Sequence, residues 1–195
     1  MQRSWPTPVL ALAVGAPVLF TAAWLLIGAA TAGYSQRADT ISALAGVGAA
    51  HAALMVAAFL VQGLGQLAGA VLARREPAAR WVGRWLVVAG VGTLLAGVIR
   101  LPDGGGPAWL STAHALAATA AFGGLHLAVL AGALSQALPP RLRVAAVVAL
   151  AVALPHLGWF LADLGRGGPW FGYAEKAFTT VLLAWCVAMA LRRVR

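Results

Sequence analysis

Charge is scarce in this chain. Only 10% of its 195 residues are Asp, Glu, Lys or Arg, and only five are acidic, whereas a soluble domain typically carries about a quarter charged residues. So few charges cannot cover a chain that is 62% hydrophobic, which excludes a water-soluble globular domain. Cysteine is reduced to Cys186. That leaves no internal disulfide, no thiolate metal cluster and no disulfide-oxidising membrane chemistry. Lying inside an apolar run, Cys186 reads as packing. The net charge is +9, but no basic stripe interleaved with aromatics is present, so nucleic acid is not indicated as a partner. "DGGGP" lacks the Lys-Ser/Thr context of a phosphate loop.

What is abundant is uninterrupted apolar sequence, in runs of about twenty residues that suit membrane spans. We place six spans at approximately 9–30, 41–72, 81–99, 110–134, 144–161 and 174–191. The expectation is an all-α polytopic membrane protein, with a six-transmembrane-helix bundle forming a single integral membrane domain over 1–195. The first run stays hydrophobic to its end and has no convincing cleavage site before Tyr34, so it reads as a retained span. The second is over-long, which predicts tilt or extension beyond the bilayer. It sets His51 about ten residues into a helix, roughly 15 Å from the end.

The arginines give an orientation. With both termini cytoplasmic, Arg3, Arg74, Arg75, Arg80, Arg84, Arg141, Arg143, Arg192, Arg193 and Arg195 fall inside, leaving Arg37, Arg100, Arg166 and Lys176 outside. Positive charge flanking spans is held on the cytoplasmic side during insertion. Four of the five acids, Asp39, Asp103, Asp163 and Glu175, then map to the outer face, each within a few residues of a base; only Glu76 is inside.

The outer face also carries a polar knot, "GYSQRADTIS" at 33–42. His114, with Ser111 three residues before it, and His156, with Asp163 seven residues after it, sit at similar shallow depth. An outward-opening pocket follows as an expectation. Asp103, Glu175, His114 and His156 would do its acid–base or hydrolytic work, and Tyr34, Arg37, Asp39, Ser42, Arg100, Ser111, Asp163 and Lys176 would bind. Histidine with carboxylates suits zinc, with His114 and His156 as the ligands, or proton relay. A haem held between the same two histidines is disfavoured, because no motif demands it. The bland alternative is that the histidines make interhelical hydrogen bonds and the charges close helix ends. His126 reads as structural, and glycines such as Gly65 and Gly69 as close helix packing.

"YSQRADTISALAGVGAAHAALM", "GVIRLPDGGGPAWLSTAHALAATAAF" and "GYAEKAF" together resemble signatures of the bacterial membrane family catalogued as domain of unknown function 998. The matching positions are Tyr34, Ser35, Thr40, Ile41 and Ser42; Pro102, Asp103 and His114; and Gly172, Glu175 and Lys176, the last standing where the family has arginine. The resemblance implies six helices and a bacterial cytoplasmic membrane, and brings no settled activity. A remoter similarity is to the intramembrane hydrolases that include alkaline ceramidases and the progestin/adiponectin receptors. There Ser111, His114, His156 and Asp103 or Asp163 would take the zinc-site parts, although the paired histidines of that group's last helix are missing here. Three functions compete: binding or handling a lipid or small amphiphile at the outer leaflet, metal-assisted lipid hydrolysis, and a role as a transporter or channel component. The absence of an inverted repeat and of charge at mid-depth speaks against the last. The expected partners are the lipid bilayer and a lipid or amphiphilic ligand.

Overall fold

The computed structural model describes residues 7–102, 106–164, 166 and 168–192. It is all-helical over these residues, and its six long helices are each long and apolar enough to cross a membrane. They are α1 (Thr7–Ala30), α2 (Ala52–Arg74), α3 (Arg80–Val98), α4 (Ala108–Leu134), α5 (Pro140–Asp163) and α6 (Phe171–Leu191). Proline sets several of the starts: Pro107 is the residue before α4, and Pro139 and Pro140 open α5, where the fixed φ suits a helix and the missing N–H costs nothing.

Neighbours in sequence pack as neighbours in space from α1 through α6, and α6 returns to α1 to close the ring. The packing is close because small residues let backbones approach. A Cβ on Gly92 of α3 would lie 2.5 Å from the backbone nitrogen of Ala121 on α4, and one on Gly124 of α4 equally close to that of Ala89. Large apolar residues occupy the outer surface as well as the core. Leu25, Leu26, Leu154 and Leu161 face outward, whereas Gln62, Gln66, Thr93, Glu175, Lys176 and Thr179 are buried. This distribution suits a bundle surrounded by hydrocarbon.

One end of the bundle, the termini end, holds the start of α1 and the end of α6, and the other holds the 33–42 knot. The first is tied by Glu76, after α2, to Arg192, at the end of α6. At that end Arg84 lies 4.3 Å over the ring of Trp81. At the knot end Trp159, Trp170 and Tyr173 form a cluster with ring separations of 6.0 to 6.4 Å. Aromatic side chains at both ends fit the two interfacial belts of a spanning protein.

The expected span 41–72 is not one helix. Ile41–Ala45 is a separate 3₁₀ turn, and α2 begins at Ala52. Gly46, Val47 and Gly48 break the run, with Gly48 at φ 81°, a left-handed conformation that glycine adopts without strain. His51 is therefore not deep in a helix: it is the exposed residue that precedes α2. The apolar residues Ile41, Leu44 and Ala45 are buried, so the turn plugs the end of the bundle instead of lengthening a span.

Candidate functional site

The plug explains the knot. A loop folded into the end of a membrane bundle carries backbone N–H and C=O groups that lipid cannot satisfy, and nearby polar side chains supply the partners. Thr40 caps the turn, accepting from Ala43 N. The Glu175 carboxylate on α6 accepts from Ile41 N at 2.7 Å. Lys176 Nζ donates to the Asp39 carbonyl at 2.5 Å and the Tyr34 hydroxyl to the Thr40 carbonyl at 3.1 Å. On the far side Arg100 donates through Nε to Ala45 O and through Nη2 to Gly46 O, at 2.9 and 2.6 Å. Asp39 accepts from Ser35 N at 2.6 Å. Gly172 lets α6 reach the loop, since a Cβ there would sit 2.0 Å from the Asp39 carbonyl oxygen. Burial, reinforced by the charges of Glu175 and Asp39, pushes the Tyr34 phenol well above its ordinary range, so Tyr34 remains a neutral donor.

The charges thus do not pair with their sequence neighbours. Among the described residues no salt bridge joins Arg37 to Asp39, Asp163 to Arg166 or Glu175 to Lys176. Arg37 instead stacks on Trp170 at 4.8 Å, and Asp163 accepts from the Trp159 indole at 3.1 Å.

Among the described residues, the expected histidines and acids each meet backbone or aromatic partners. His114 is buried, with Nδ1 2.6 Å from the carbonyl oxygen of Ile99 at the end of α3. His156 has Nδ1 2.8 Å from Val152 O of its own helix, and its ring lies beside Trp159 and Tyr173. The two rings face different neighbours, and Glu175 is committed to the plug. Ser111, three residues before His114, is exposed. Asp103, Arg3, Arg193 and Arg195 lie outside the described residues. Among the described residues no group of three or more His, Cys, Asp or Glu is placed to hold a metal ion. Ser42 is buried, and Asp163 and Arg100 are half-buried.

Two of the concavities among the described residues border the plug or the knot. The larger, about 580 Å³, is a groove between α1 and α6, lined by Trp24, Leu25, Gln36, Tyr173, Lys176, Ala177, Thr180, Val181 and Ala184. Its polar end gathers at the knot, where the Lys176 ammonium lies 5.9 Å from the Trp24 ring and 5.2 Å from that of Tyr34. Gln36 donates to the carbonyls of Trp24 and Leu25 at 3.2 Å, which fixes its amide. The opposite amide oxygen and the Trp24 indole N–H are left without a protein partner among the described residues. Down α6 the wall is apolar, through Ala177, Val181 and Ala184. The second concavity lies inside the bundle, beneath the plug, where Ser42, Gln62, Gln66, Thr93, Glu175 and Thr179 meet.

Sequence reasoning named Lys176, Ser42 and Glu175 here but missed Trp24, Gln36, Gln62, Gln66, Thr93 and Thr179. A signal was present. Gln62 with Gln66 and Glu175 with Thr179 are pairs four apart in otherwise apolar helices, the spacing that puts two polar groups on one face.

The family model described as "Protein of unknown function (DUF998)" matches residues 14–192. No curated protein and no solved structure matches the chain, so the remoter likeness to intramembrane hydrolases rests on sequence motifs alone. The matched segment runs from within α1 to the residue that follows α6 and takes in both the plug and the groove. On that match the chain belongs to the DUF998 family.

Proposed function

We propose that this protein binds a lipid or lipid-like amphiphile in the α1–α6 groove. An anionic head group would meet Lys176, Trp24 and Gln36, and one acyl chain would lie along Ala177, Val181 and Ala184. The observation that carries the reading is the division of the groove. One end offers a cation with no carboxylate within 4 Å among the described residues; the other is aliphatic. Its volume of about 580 Å³ lies within the usual range for small-ligand sites, about 300–1,000 Å³. Lys176 is five residues into α6, about 8 Å from its start at 1.5 Å per residue, the depth at which a long cationic side chain meets head groups. With the termini end in the cytoplasm of a bacterial cell, as Arg74, Arg75, Arg80, Arg84, Arg141, Arg143 and Arg192 favour, the groove opens to the outer leaflet.

The test is lipid retention through detergent purification, read by native mass spectrometry after exchange into phosphatidylglycerol or phosphatidylethanolamine. The wild-type chain is expected to retain phosphatidylglycerol in preference, and Lys176→Gln to weaken retention about tenfold, the scale of one charge-assisted contact. Equal retention of the two lipids, or an unaffected Lys176→Gln, would refute the reading.

A further inference from the structure

The interior cavity beneath the plug has a chemistry that the groove does not use. Gln62 is 1% exposed, and neither atom of its side-chain amide has a partner among the described residues; the same holds for Gln66 Oε1 and Thr179 Oγ1. Gln66 and Thr179 are themselves at most 4% exposed. Four unpartnered polar atoms inside a membrane bundle cost several kcal/mol, and such atoms in folded proteins are normally met by ordered water.

The space for water is there. The plug-side cavity is about 30 Å³, with Phe20, Phe59 and Phe122 as its dry wall. A second cavity of about 20 Å³ continues toward the termini end, past Gly69, Leu72 and Cys186, to Arg192. Gln62, Gln66 and Leu183 line both. A water molecule needs about 10–15 Å³ of such volume, so each cavity has room for one or two. The two glutamines stand where the cavities meet, with Glu175 at one extreme and Arg192, bonded to Glu76, at the other.

We propose that these two cavities form a water-filled half-channel. It opens at the termini end, passes Gln66 and Gln62, and ends at Thr179 and Glu175 beneath the plug. Its occupant is water, held by the amides and the threonine hydroxyl; larger solutes do not fit. The path gives the buried Glu175 carboxylate contact with the aqueous phase on the termini side alone, because Ile41, Ser42 and Leu44 close the other.

The chain contains five glutamines, Gln2, Gln36, Gln62, Gln66 and Gln136, so protein labelled with ¹⁵N at glutamine alone gives few side-chain amide signals. Water-edited solid-state NMR of that protein in phospholipid vesicles tests the proposal. Gln62→Met and Gln66→Met assign the signals, and the exposed Gln136 is the wet reference. The Gln62 and Gln66 amides are expected to receive water polarisation as quickly as Gln136. Gly69→Ala fits, since its Cβ would approach nothing nearer than Leu86 at 3.5 Å, and it narrows the termini-side cavity. That variant is expected to lose fast transfer at both interior glutamines while keeping it at Gln136. Dry interior amides in the wild-type protein would overturn the water site; fast transfer unchanged by Gly69→Ala would overturn the route.

Discussion

Glu175→Ala is the most direct probe of how the bundle end is closed. The Glu175 carboxylate and the Ile41 amide are 134 residues apart in sequence, 2.7 Å apart in space, and both residues are 2% exposed. Removing the acceptor leaves a buried N–H with no replacement from lipid. A hydrogen bond to a charged group contributes about 1.5–3 kcal/mol. The local opening equilibrium of the plug should therefore rise about 10- to 150-fold, at 1.4 kcal/mol per decade. Hydrogen exchange read by NMR or mass spectrometry in lipid nanodiscs reports this as faster exchange at the Ile41 amide. Glu175→Gln keeps an acceptor oxygen without its charge and should fall between wild type and alanine. The Val47 amide is an internal control, because it is bonded to Leu101 O at 2.8 Å and the adjacent carbonyls are gripped by Arg100. It should change far less. If Ile41 exchanges at the wild-type rate in a folded Glu175→Ala protein, the carboxylate does not hold the plug and the account of the knot is wrong.

Gly172→Ala should destabilise the protein by about 1–3 kcal/mol, the usual cost of overpacking. The added Cβ would meet the Asp39 backbone oxygen at 2.0 Å and the backbone nitrogen at 2.9 Å, neither of which can turn away. Thermal unfolding in detergent checks this, and an unchanged midpoint would mean that the close approach of α6 to the knot is not there. His114→Ala should cost about 1–3 kcal/mol by stranding a carbonyl at the end of α3. His156→Ala should cost less than about 1 kcal/mol, because its bond stays within one half-exposed turn of α5. Unfolding midpoints lowered equally by the two substitutions would contradict these distinct roles.

The number and placement of the spans were legible in the sequence because twenty-residue apolar runs have few alternatives in a bilayer. The exception, the run from 41 to 72, failed for a specific reason: hydropathy averages over Gly46-Val47-Gly48, whereas the backbone breaks there. The polar residues of the knot were also legible as a group gathered at one end. Their partners were not. Sequence proximity suggested Arg37 with Asp39 and Glu175 with Lys176, but an ion pair between neighbours leaves the loop's own amides and carbonyls bare, and in lipid that is the larger cost. Nor could helical spacing reveal which neighbour each histidine faces. The rotation of α4 turns His114 toward α3, and that of α5 leaves His156 beside the interfacial aromatics.

This use of charge has an electrostatic consequence at the knot end. The acids there serve N–H donors: Asp39 on Ser35, Glu175 on Ile41 and Asp163 on the Trp159 indole. Lys176 serves carbonyls, and Arg37 stacks on the Trp170 ring. Neither base has a carboxylate within 4 Å among the described residues, so their positive charge is oriented but not neutralised by direct pairing. An ammonium has three donors, and Lys176 places two of its contacts on Asp39 and Gly172 while lining the α1–α6 groove. An anion seated in that groove would therefore touch the same nitrogen that holds the Asp39 carbonyl. Occupancy of the groove and closure of the plug then share one atom, and by linkage a head group that draws Lys176 toward the groove weakens the plug by as much as the plug weakens its binding.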